Sequence, residues 1–276
     1  MNYQNTLLKT YRKDIWSKYL KAITDYDLIQ PNDAIAVCIS GGKDSMLLAL
    51  CFKTLVQFSD VPFTVKYLVM DPGYSPENRQ KIIDNAKELE IDVEIFDSSI
   101  FEIVDNIEKS PCYLCARMRR GYLYEFASSL GCNKIALGHH YDDAIETTLM
   151  NLFYGGQVGT MLPRLTSTSH PDMEIIRPLY YVREDNIIRW VNYTGLTFLK
   201  CACKFTEQSE INPHESSSKR KEIKQFIKDY KQINPFIEAN IFHSMERVNL
   251  NKVISYYDDD QTVDFLDRFK DKEKTE

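Results

Sequence analysis

The chain has 276 residues, enough for one large α/β domain or for such a domain with an appendage. Its hydrophobic fraction of 43% predicts a substantial core, and its net charge of −6 gives no overall indication of nucleic-acid binding. No run of about twenty apolar residues occurs, and residues 1–15 lack the apolar core of a signal peptide. We therefore expect no membrane span and a cytoplasmic location.

The first half of the chain alternates predicted strands with predicted helices. Apolar residues at helical spacing over residues 7–26 predict an N-terminal helix. Strands are predicted at residues 34–39, 61–70, 91–96 and 134–137. This alternation predicts an α/β fold, with a parallel sheet and helices on both of its faces. The loops after the first, second and fourth strands should then meet in one crevice at the carboxyl edge of the sheet.

The pattern becomes weaker after Arg177. A short strand is predicted within residues 174–179, and helices are predicted at residues 184–194, 216–231 and 235–248. We divide the chain into an N-terminal helical segment, an α/β domain, a cysteine-containing basic helical segment and a charged tail. Their predicted bounds are residues 1–30, 31–200, 201–250 and 251–276.

The loop between the first strand and the next helix reads Ser40-Gly41-Gly42-Lys43-Asp44-Ser45. Glycines let a backbone approach an anion closely, and the unpaired N–H groups at a helix start point at that anion. The lysine adds a cation and the two serines add hydroxyl donors. The spacing fits neither the Walker A loop nor Gly-x-Gly-x-x-Gly. We predict a phosphate or pyrophosphate site, the alternative being an ordinary glycine turn.

A polar cluster follows the fourth strand, where the sequence reads Gly138-His139-His140-Tyr141-Asp142-Asp143. Asp142 and Asp143 fall in the first turn of a helix, where the helix dipole favours carboxylates. Their oxygens could also hold Mg²⁺ against phosphate groups. Asp71, at the end of the second strand, should join the same crevice. The alternative is a helix cap with solvated carboxylates.

Seven cysteines in a chain of this kind indicate metal or redox chemistry rather than a disulfide framework. Three of them have apolar surroundings and are predicted to be core residues: Cys38, Cys51 and Cys132. The other four are spaced like metal ligands: Cys112, Cys115, Cys201 and Cys203. A Cys-x-x-Cys pair fits a redox pair, half of a zinc site, an iron–sulfur ligand set or two unrelated thiols.

Two helices carry clustered cations. Arg117 and Arg120 lie three residues apart just after the Cys-x-x-Cys pair and could stabilise thiolates or bind pyrophosphate or RNA. In the second helix four cations share one face: Arg220, Lys224, Lys228 and Lys231. We predict that this face is the best-placed surface for RNA phosphates. A plain solvated face is the alternative for both helices.

Together these motifs resemble the tRNA-cytidine 2-sulfurtransferase family of PP-loop ATPases, over most of residues 10–250. The matching segments are the Ser40 loop, residues 112–121, 134–143, 151–156 and 176–179, and Cys201. The resemblance implies that the α/β domain binds ATP and adenylates the C2 carbonyl of an anticodon-loop cytidine, whose oxygen is then replaced by sulfur. It also implies Mg²⁺, a [4Fe-4S] cluster on three cysteines, tRNA as partner and a cysteine desulfurase as sulfur donor. A homodimer is a further expectation.

Carried over by motif, the resemblance assigns residues to three roles. ATP would be bound by Ser40, Gly41, Gly42, Lys43, Asp44, Ser45, Asp71, Gly138 and His139. The catalytic set would be Lys43, Asp44, Asp142 and Asp143. The cluster ligands would be Cys112, Cys115 and Cys201. The family pattern has a second Cys-x-x-Cys where this chain has Cys201-Ala202-Cys203, so Cys203 could bind iron instead, or both could.

Two other functions fit the same motifs. The first is a PP-loop iron–sulfur sulfurtransferase that acts on another tRNA base or on a small molecule. The second is a non-enzymatic, nucleotide-binding sensor in which four thiolates hold zinc or a cluster.

Overall fold

The computed structural model describes residues 1–98, 100, 111–199, 219–258 and 261–267, with the backbone alone for residues 111–117. Its N-terminal segment is helical, as predicted, but it is not one α-helix. Helices α1 (Tyr3–Asn5) and α2 (Ser17–Asp25) are separated by π-helical stretches at Thr6–Thr10 and Arg12–Trp16. The wider turns still bury apolar side chains in the main core, among them Leu7, Ile15, Trp16 and Tyr19.

A six-stranded sheet forms the centre of the molecule. Its strands are β1 (Ala34–Ile39), β2 (Thr64–Asp71), β3 (Val93–Asp97), β4 (Lys134–Ala136), β5 (Arg164–Thr166) and β6 (Glu174–Ile176). Their order is β3-β2-β1-β4-β6-β5, and all neighbouring pairs are parallel except β5 with β6. The prediction of a parallel α/β sheet is therefore confirmed. The antiparallel edge strand β5 was not predicted, because three residues that include an arginine carry no strand signal.

Helices cover both faces of the sheet, as predicted. They are α3 (Lys43–Val56), α4 (Pro76–Glu88), α5 (Pro111–Ser129), α6 (Tyr141–Met150), α7 (Glu184–Thr194), α8 (Lys219–Lys231) and α9 (Ile237–Glu246). Alternate residues of β1 enter opposite cores: Val37 packs in the core that contains α3, and Ala36 packs with Ala127 of α5. This two-sided burial explains why β1 is almost uninterruptedly apolar.

The segment predicted to be a charged tail contains a hairpin. Strands β7 (Ser255–Asp258) and β8 (Gln261–Asp264) pair antiparallel, with Tyr256 opposite Val263. These short runs of strand-forming residues are difficult to recognise in the sequence, because charged residues surround them. Within the described ranges, no helix combines the length and apolarity that crossing a membrane requires.

A buried ion network lies at the amino edge of the sheet, opposite the end where the loops converge. The ammonium of Lys134, the first residue of β4, lies 2.8 Å from Asp33 and 3.2 Å from Glu174 and donates to the Leu28 carbonyl oxygen. Lys134 and Asp33 are almost fully buried, so each charge depends on the other for its stabilisation.

We predict that Lys134→Met lowers the free energy of unfolding by about 3 kcal/mol or more, because it leaves the buried carboxylate of Asp33 without its cation. Urea denaturation measures this change. The matched control is Lys66→Met, which removes the half-exposed partner of Glu94 and should cost less than about 1 kcal/mol. Equal losses in the two variants would contradict the role given to the buried network.

Candidate functional site

The loop from Ser40 to Ser45 joins β1 to α3 and has the geometry of an anion cradle. Gly41 has a φ of +82°, and a Cβ placed there would lie 2.7 Å from Cγ1 of Ile82, so only glycine fits. The Ser45 hydroxyl donates to the Gly42 carbonyl at 3.0 Å and accepts from the Ser40 N–H at 3.1 Å. These bonds fix the loop around the first turn of α3, whose N–H groups have no partners within the helix.

Two neighbouring segments hold this loop in place. A Cβ on Gly138 would lie 3.0 Å from the Asp44 carbonyl carbon and from the Ser45 nitrogen, so the end of β4 touches the loop backbone. On the other side the N–H of Leu199 donates to the Gly41 carbonyl at 3.0 Å. The loops after β1 and β4 therefore meet, as predicted.

A cavity of about 700 Å³ opens at this carboxyl edge of the sheet. Its lining includes the predicted site residues Ser40, Asp44, Ser45, Gly138, His139 and Asp143. Four arginines also line it: Arg119, Arg120, Arg177 and Arg220. We call this cavity the crevice. Hydroxyls, a helix start and several guanidinium groups around one space suit a polyphosphate ligand.

Lys43, predicted to face the phosphates, is engaged elsewhere. Its ammonium lies 3.1 Å from Asp44 and 3.1 Å from Glu184, and Lys43 lines a second cavity of about 640 Å³ beside α7. Burial alone would raise the pKa of Glu184, but the cations of Lys224 and Lys43 together lower it to about 2. Lys43 is therefore held by carboxylates and is not among the residues that line the crevice.

Asp71 also differs from its predicted place. It is buried, and its carboxylate accepts from the N–H groups of Gly73 and Tyr74 and from the guanidinium of Arg79 at 2.8 Å. These contacts shape the turn after β2. The crevice instead receives Tyr74, whose hydroxyl donates to the Ser40 carbonyl at 3.4 Å.

The adjacent aspartates of α6 point to different partners. Asp142 accepts from Arg183 at 2.9 Å and from the Glu184 N–H at 2.7 Å, so it caps the start of α7. Asp143 lines the crevice, where it accepts from the His140 N–H at 3.0 Å and from Arg220 at 2.8 Å. Asp142 is thus occupied in holding two helices together.

Asp44 and Asp143 are the carboxylates that fit a Mg²⁺ ion bound between the protein and a polyphosphate. Both line the crevice, and Oδ1 of Asp44 is buried without a hydrogen-bond partner. Across the described ranges, no three His, Cys, Asp or Glu side chains are grouped to hold a metal ion. Mg²⁺ typically takes only one or two carboxylates and completes its shell with phosphate oxygens and water.

His139 is a neutral hydrogen-bond donor. Its Nδ1 lies 3.3 Å from Nε of Arg177, and because a guanidinium can only donate, Nδ1 must be the acceptor. The ring proton therefore sits on Nε2. Burial lowers the pKa of His139 to about 4 and that of Arg177 to about 10, so the ring is neutral and the guanidinium charged at neutral pH.

Several residues of the crevice or its wall were not predicted, among them Arg119, Arg177, Tyr74 and Glu146. Arg177 lies in the matching segment at residues 176–179 and Tyr74 lies in the turn after β2, but neither residue was assigned a role in the site. Glu146 lies one helical turn after Asp143, a spacing that could have found it. Burial raises the pKa of Glu146 to about 7, and its carboxylate lies 3.7 Å from Arg220.

The predicted basic face of α8 turns towards the protein. Arg220 bonds to Asp143, Lys224 contacts Glu184, and Lys231 lies 2.7 Å from Glu238. Lys228 alone of the four makes no ion pair with a described residue. The periodicity correctly predicts a shared face, but three of its four cations are paired with carboxylates of α6, α7 and α9.

The three cysteines predicted to be core residues are buried, as expected. Cys38, Cys51 and Cys132 are buried free thiols, and burial raises the pKa of Cys38 to about 12. Cys112 and Cys115 lie on α5, in the part described by backbone alone. Cys201 and Cys203 lie outside the described residues.

We predict that Gly138→Ala weakens ATP binding by about tenfold or more, because its methyl group would push the Asp44–Ser45 backbone out of place. Titration calorimetry measures the affinity. Gly121→Ala is the matched control, since a Cβ there meets nothing within 4 Å. Wild-type affinity in Gly138→Ala would refute the close approach as a requirement of the site.

One protein family and several known proteins are similar to this chain. Residues 11–205 match the PP-loop domain family. A tRNA-cytidine(32) 2-sulfurtransferase from Pelobacter propionicus is 33% identical over 232 residues, which are 83% of this chain and 83% of that protein. Another from Geobacter metallireducens is 32% identical over 243 residues, or 87% of this chain and 91% of that protein.

Among solved structures, the U34-tRNA thiolase NcsA from Methanococcus maripaludis with its [4Fe-4S] cluster is similar in fold. The TM-score is 0.64 at 20% identity, over 84% of this chain and 77% of that one. The relatives and the family match agree with the resemblance that the motifs indicate. The chain belongs to the PP-loop domain family and, within it, to the tRNA-cytidine(32) 2-sulfurtransferase family.

Proposed function

We propose that this protein is an ATP-dependent tRNA thiolase that converts a cytidine of tRNA to 2-thiocytidine. The observation that carries the proposal is the Ser40–Ser45 loop, held against Gly138 and open to an arginine-lined crevice. The loop stands in a chain whose relatives are named for this reaction at cytidine 32. We propose the same position, in the anticodon loop, for this protein.

ATP enters the crevice with its phosphates at the start of α3. The N–H groups of the loop and the hydroxyls of Ser40 and Ser45 bind the phosphate oxygens. Asp44 and Asp143 would hold Mg²⁺, which would supply positive charge to the phosphates, and the arginines of the crevice offset the remaining charge. These groups stabilise negative charge that develops when pyrophosphate leaves, which is how positioned cations accelerate phosphate chemistry.

The reaction proceeds by adenylation of the base. The C2 carbonyl oxygen of cytidine attacks the α-phosphorus of ATP, an O–P bond forms, and pyrophosphate departs with the electron pair of the broken bond. Sulfide then adds at C2, and AMP leaves with the former carbonyl oxygen. A poor leaving group is thereby replaced by a good one. His139, which is neutral and carries its proton on Nε2, can donate a hydrogen bond to an oxygen within the crevice.

We further propose that Cys112, Cys115 and Cys201 hold a [4Fe-4S] cluster, which when bound would supply the sulfur. Three thiolates are a suitable ligand set that leaves one iron without a protein ligand. Described residues on either side of these cysteines support the placement. Leu199, two residues before Cys201, bonds to the loop, and Arg119, four residues after Cys115, lines the crevice. A cysteine desulfurase as donor, a homodimer and a cytoplasmic location stay predictions.

Complementation of a strain that lacks the gene tests the function and the ligand set together. The wild-type protein should restore 2-thiocytidine in digested tRNA. Cys112→Ser and Cys201→Ser should restore none and should bind little iron when purified anaerobically. Cys203→Ser is the matched control, differing by two positions from Cys201→Ser, and should keep both iron and activity.

Three results would count against parts of this proposal. Unchanged 2-thiocytidine in the deletion strain would contradict the substrate. A colourless wild-type protein that contains one zinc ion would favour the sensor instead. Loss of iron in Cys203→Ser with full iron in Cys201→Ser would move the third ligand to Cys203.

A further inference from the structure

The helix α8 brings cations to the nucleotide site from the C-terminal part of the chain. Ile223 and Ile227 anchor it in the core, and Arg220 and Lys224 project from the same side towards α6 and α7. Arg220 lines the crevice together with Ser40 and Ser45 of the loop. A residue 175 positions after Ser45 therefore faces the same space as the anion cradle.

Arg220 has hydrogen-bond donors to spare. Its Nη1 donates to Oδ1 of Asp143 at 2.8 Å and lies 3.7 Å from Glu146, and its Nη2 makes only a long contact of 3.5 Å with Thr147. Nε donates to none of the described residues. Since a guanidinium carries five N–H donors, the described residues leave most of those on Arg220 available to an anion. The side chain is 42% exposed, so it can move without breaking a packed core.

Two other cations near the loop, Lys43 and Arg177, are already engaged. Lys43 is held by Asp44 and Glu184 and lines the second cavity. Arg177 is buried and donates to His139 and to the Leu162 carbonyl. Arg119 and Arg120 come from α5, the helix of the Cys-x-x-Cys pair. Arg220 is thus the cation of the crevice that pairs with Asp143, a carboxylate on the crevice wall.

The Asp143–Arg220 pair is suited to an exchange of partners. A Mg²⁺–polyphosphate ligand offers a cation to the carboxylate and an anion to the guanidinium at the same moment. Each group then trades one charged partner for another, so neither is left unpaired in a partly buried site. Guanidinium–phosphate contacts are strong and directional, because two N–H groups can bind two oxygens.

We propose that Arg220 is a nucleotide-binding residue. It gives up its hydrogen bond to Asp143 and binds the β- and γ-phosphates of ATP. This inference rests on the ATP site of the proposed function and assigns it a ligand from α8. The basic face of α8 then serves the nucleotide in part, and not the RNA alone. AMP lacks the two phosphates concerned, so Arg220 should distinguish ATP from AMP.

Calorimetric affinities for ATP with Mg²⁺ and for AMP test the proposal in the full-length protein without tRNA. Arg220→Met should weaken ATP binding by about tenfold or more and change AMP binding by less than about twofold. Lys228→Met makes the same change of charge on the same helix, at a residue that forms no ion pair within the described ranges, and should leave both affinities unchanged. Unaltered ATP affinity in Arg220→Met, or equal losses for ATP and AMP, would overturn the proposal.

A double variant separates direct contact from a change in local charge. Arg220→Met leaves Asp143 and Glu146 without their cation, and their repulsion alone could weaken ATP binding. Arg220→Met with Glu146→Gln, measured at about pH 8 where the glutamate is ionised, restores the local net charge. ATP binding should remain weak in this double variant. Recovery to the wild-type affinity would show that Arg220 acts only through local charge and would overturn direct binding.

Stability and activity controls complete the test. Arg220→Gln can still donate to Asp143 and should lose ATP affinity as Arg220→Met does, with an unfolding temperature near that of the wild type. Unfolding of both variants would assign Arg220 a structural role and overturn the proposal.

A wild-type protein that binds ATP through Arg220 but forms no 2-thiocytidine would contradict the proposed function alone. Lower tRNA affinity with unchanged ATP affinity would instead make Arg220 an RNA contact.

Discussion

The contact between the end of β4 and the loop after β1 is the constraint on which the site depends. Gly138 lies so close to Asp44 and Ser45 that a methyl group would reach the loop backbone at 3.0 Å. The same contact places the start of α6 beside the start of α3. Two helix N-termini and the carboxylates of Asp44 and Asp143 therefore share one crevice, and an anion with its metal ion can be bound between them.

Ion pairs around the crevice connect five helices: α3, α6, α7, α8 and α9. Asp142 of α6 bonds to Arg183, which also contacts Glu238 of α9. Asp143 bonds to Arg220 of α8, and Glu184 of α7 contacts both Lys43 and Lys224. Most of these groups are partly exposed, so a charged ligand can reach them and replace one partner of a pair. The net charge of −6 does not indicate these cations, because nearby carboxylates neutralise them.

Much of the fold could be predicted because it depends on local signals. The apolar run of β1, the glycine loop and the apolar start of α3 are continuous in the sequence, and so the cradle follows from them. The bounds of α7 agree with the predicted helix at residues 184–194. The strand β5 and the hairpin of β7 and β8 were missed because they are short and polar, and pairing across the sheet stabilises them.

The directions of side chains could not be predicted in the same way. Lys43 lies in the loop motif but pairs with Glu184, and Arg220 lies in a basic run but enters the crevice. Both outcomes depend on where α7 and α8 pack, which no local pattern contains. Asp71 likewise lies at the end of the second strand as predicted, yet its carboxylate is bonded to the turn after β2. The motif at residues 138–143 identified the crevice because Gly138, His139 and Asp143 lie within six consecutive residues, between the end of β4 and the first turn of α6.

The most direct test of the account follows the oxygen atom at C2 of the cytidine. A tRNA carrying ¹⁸O at that position would react with ATP under anaerobic, single-turnover conditions, and mass spectrometry would then locate the label. The account predicts one labelled AMP for each 2-thiocytidine formed, with unlabelled pyrophosphate and water. Label in water with unlabelled AMP, or thiolation that proceeds equally without ATP, would contradict adenylation of the base by this loop.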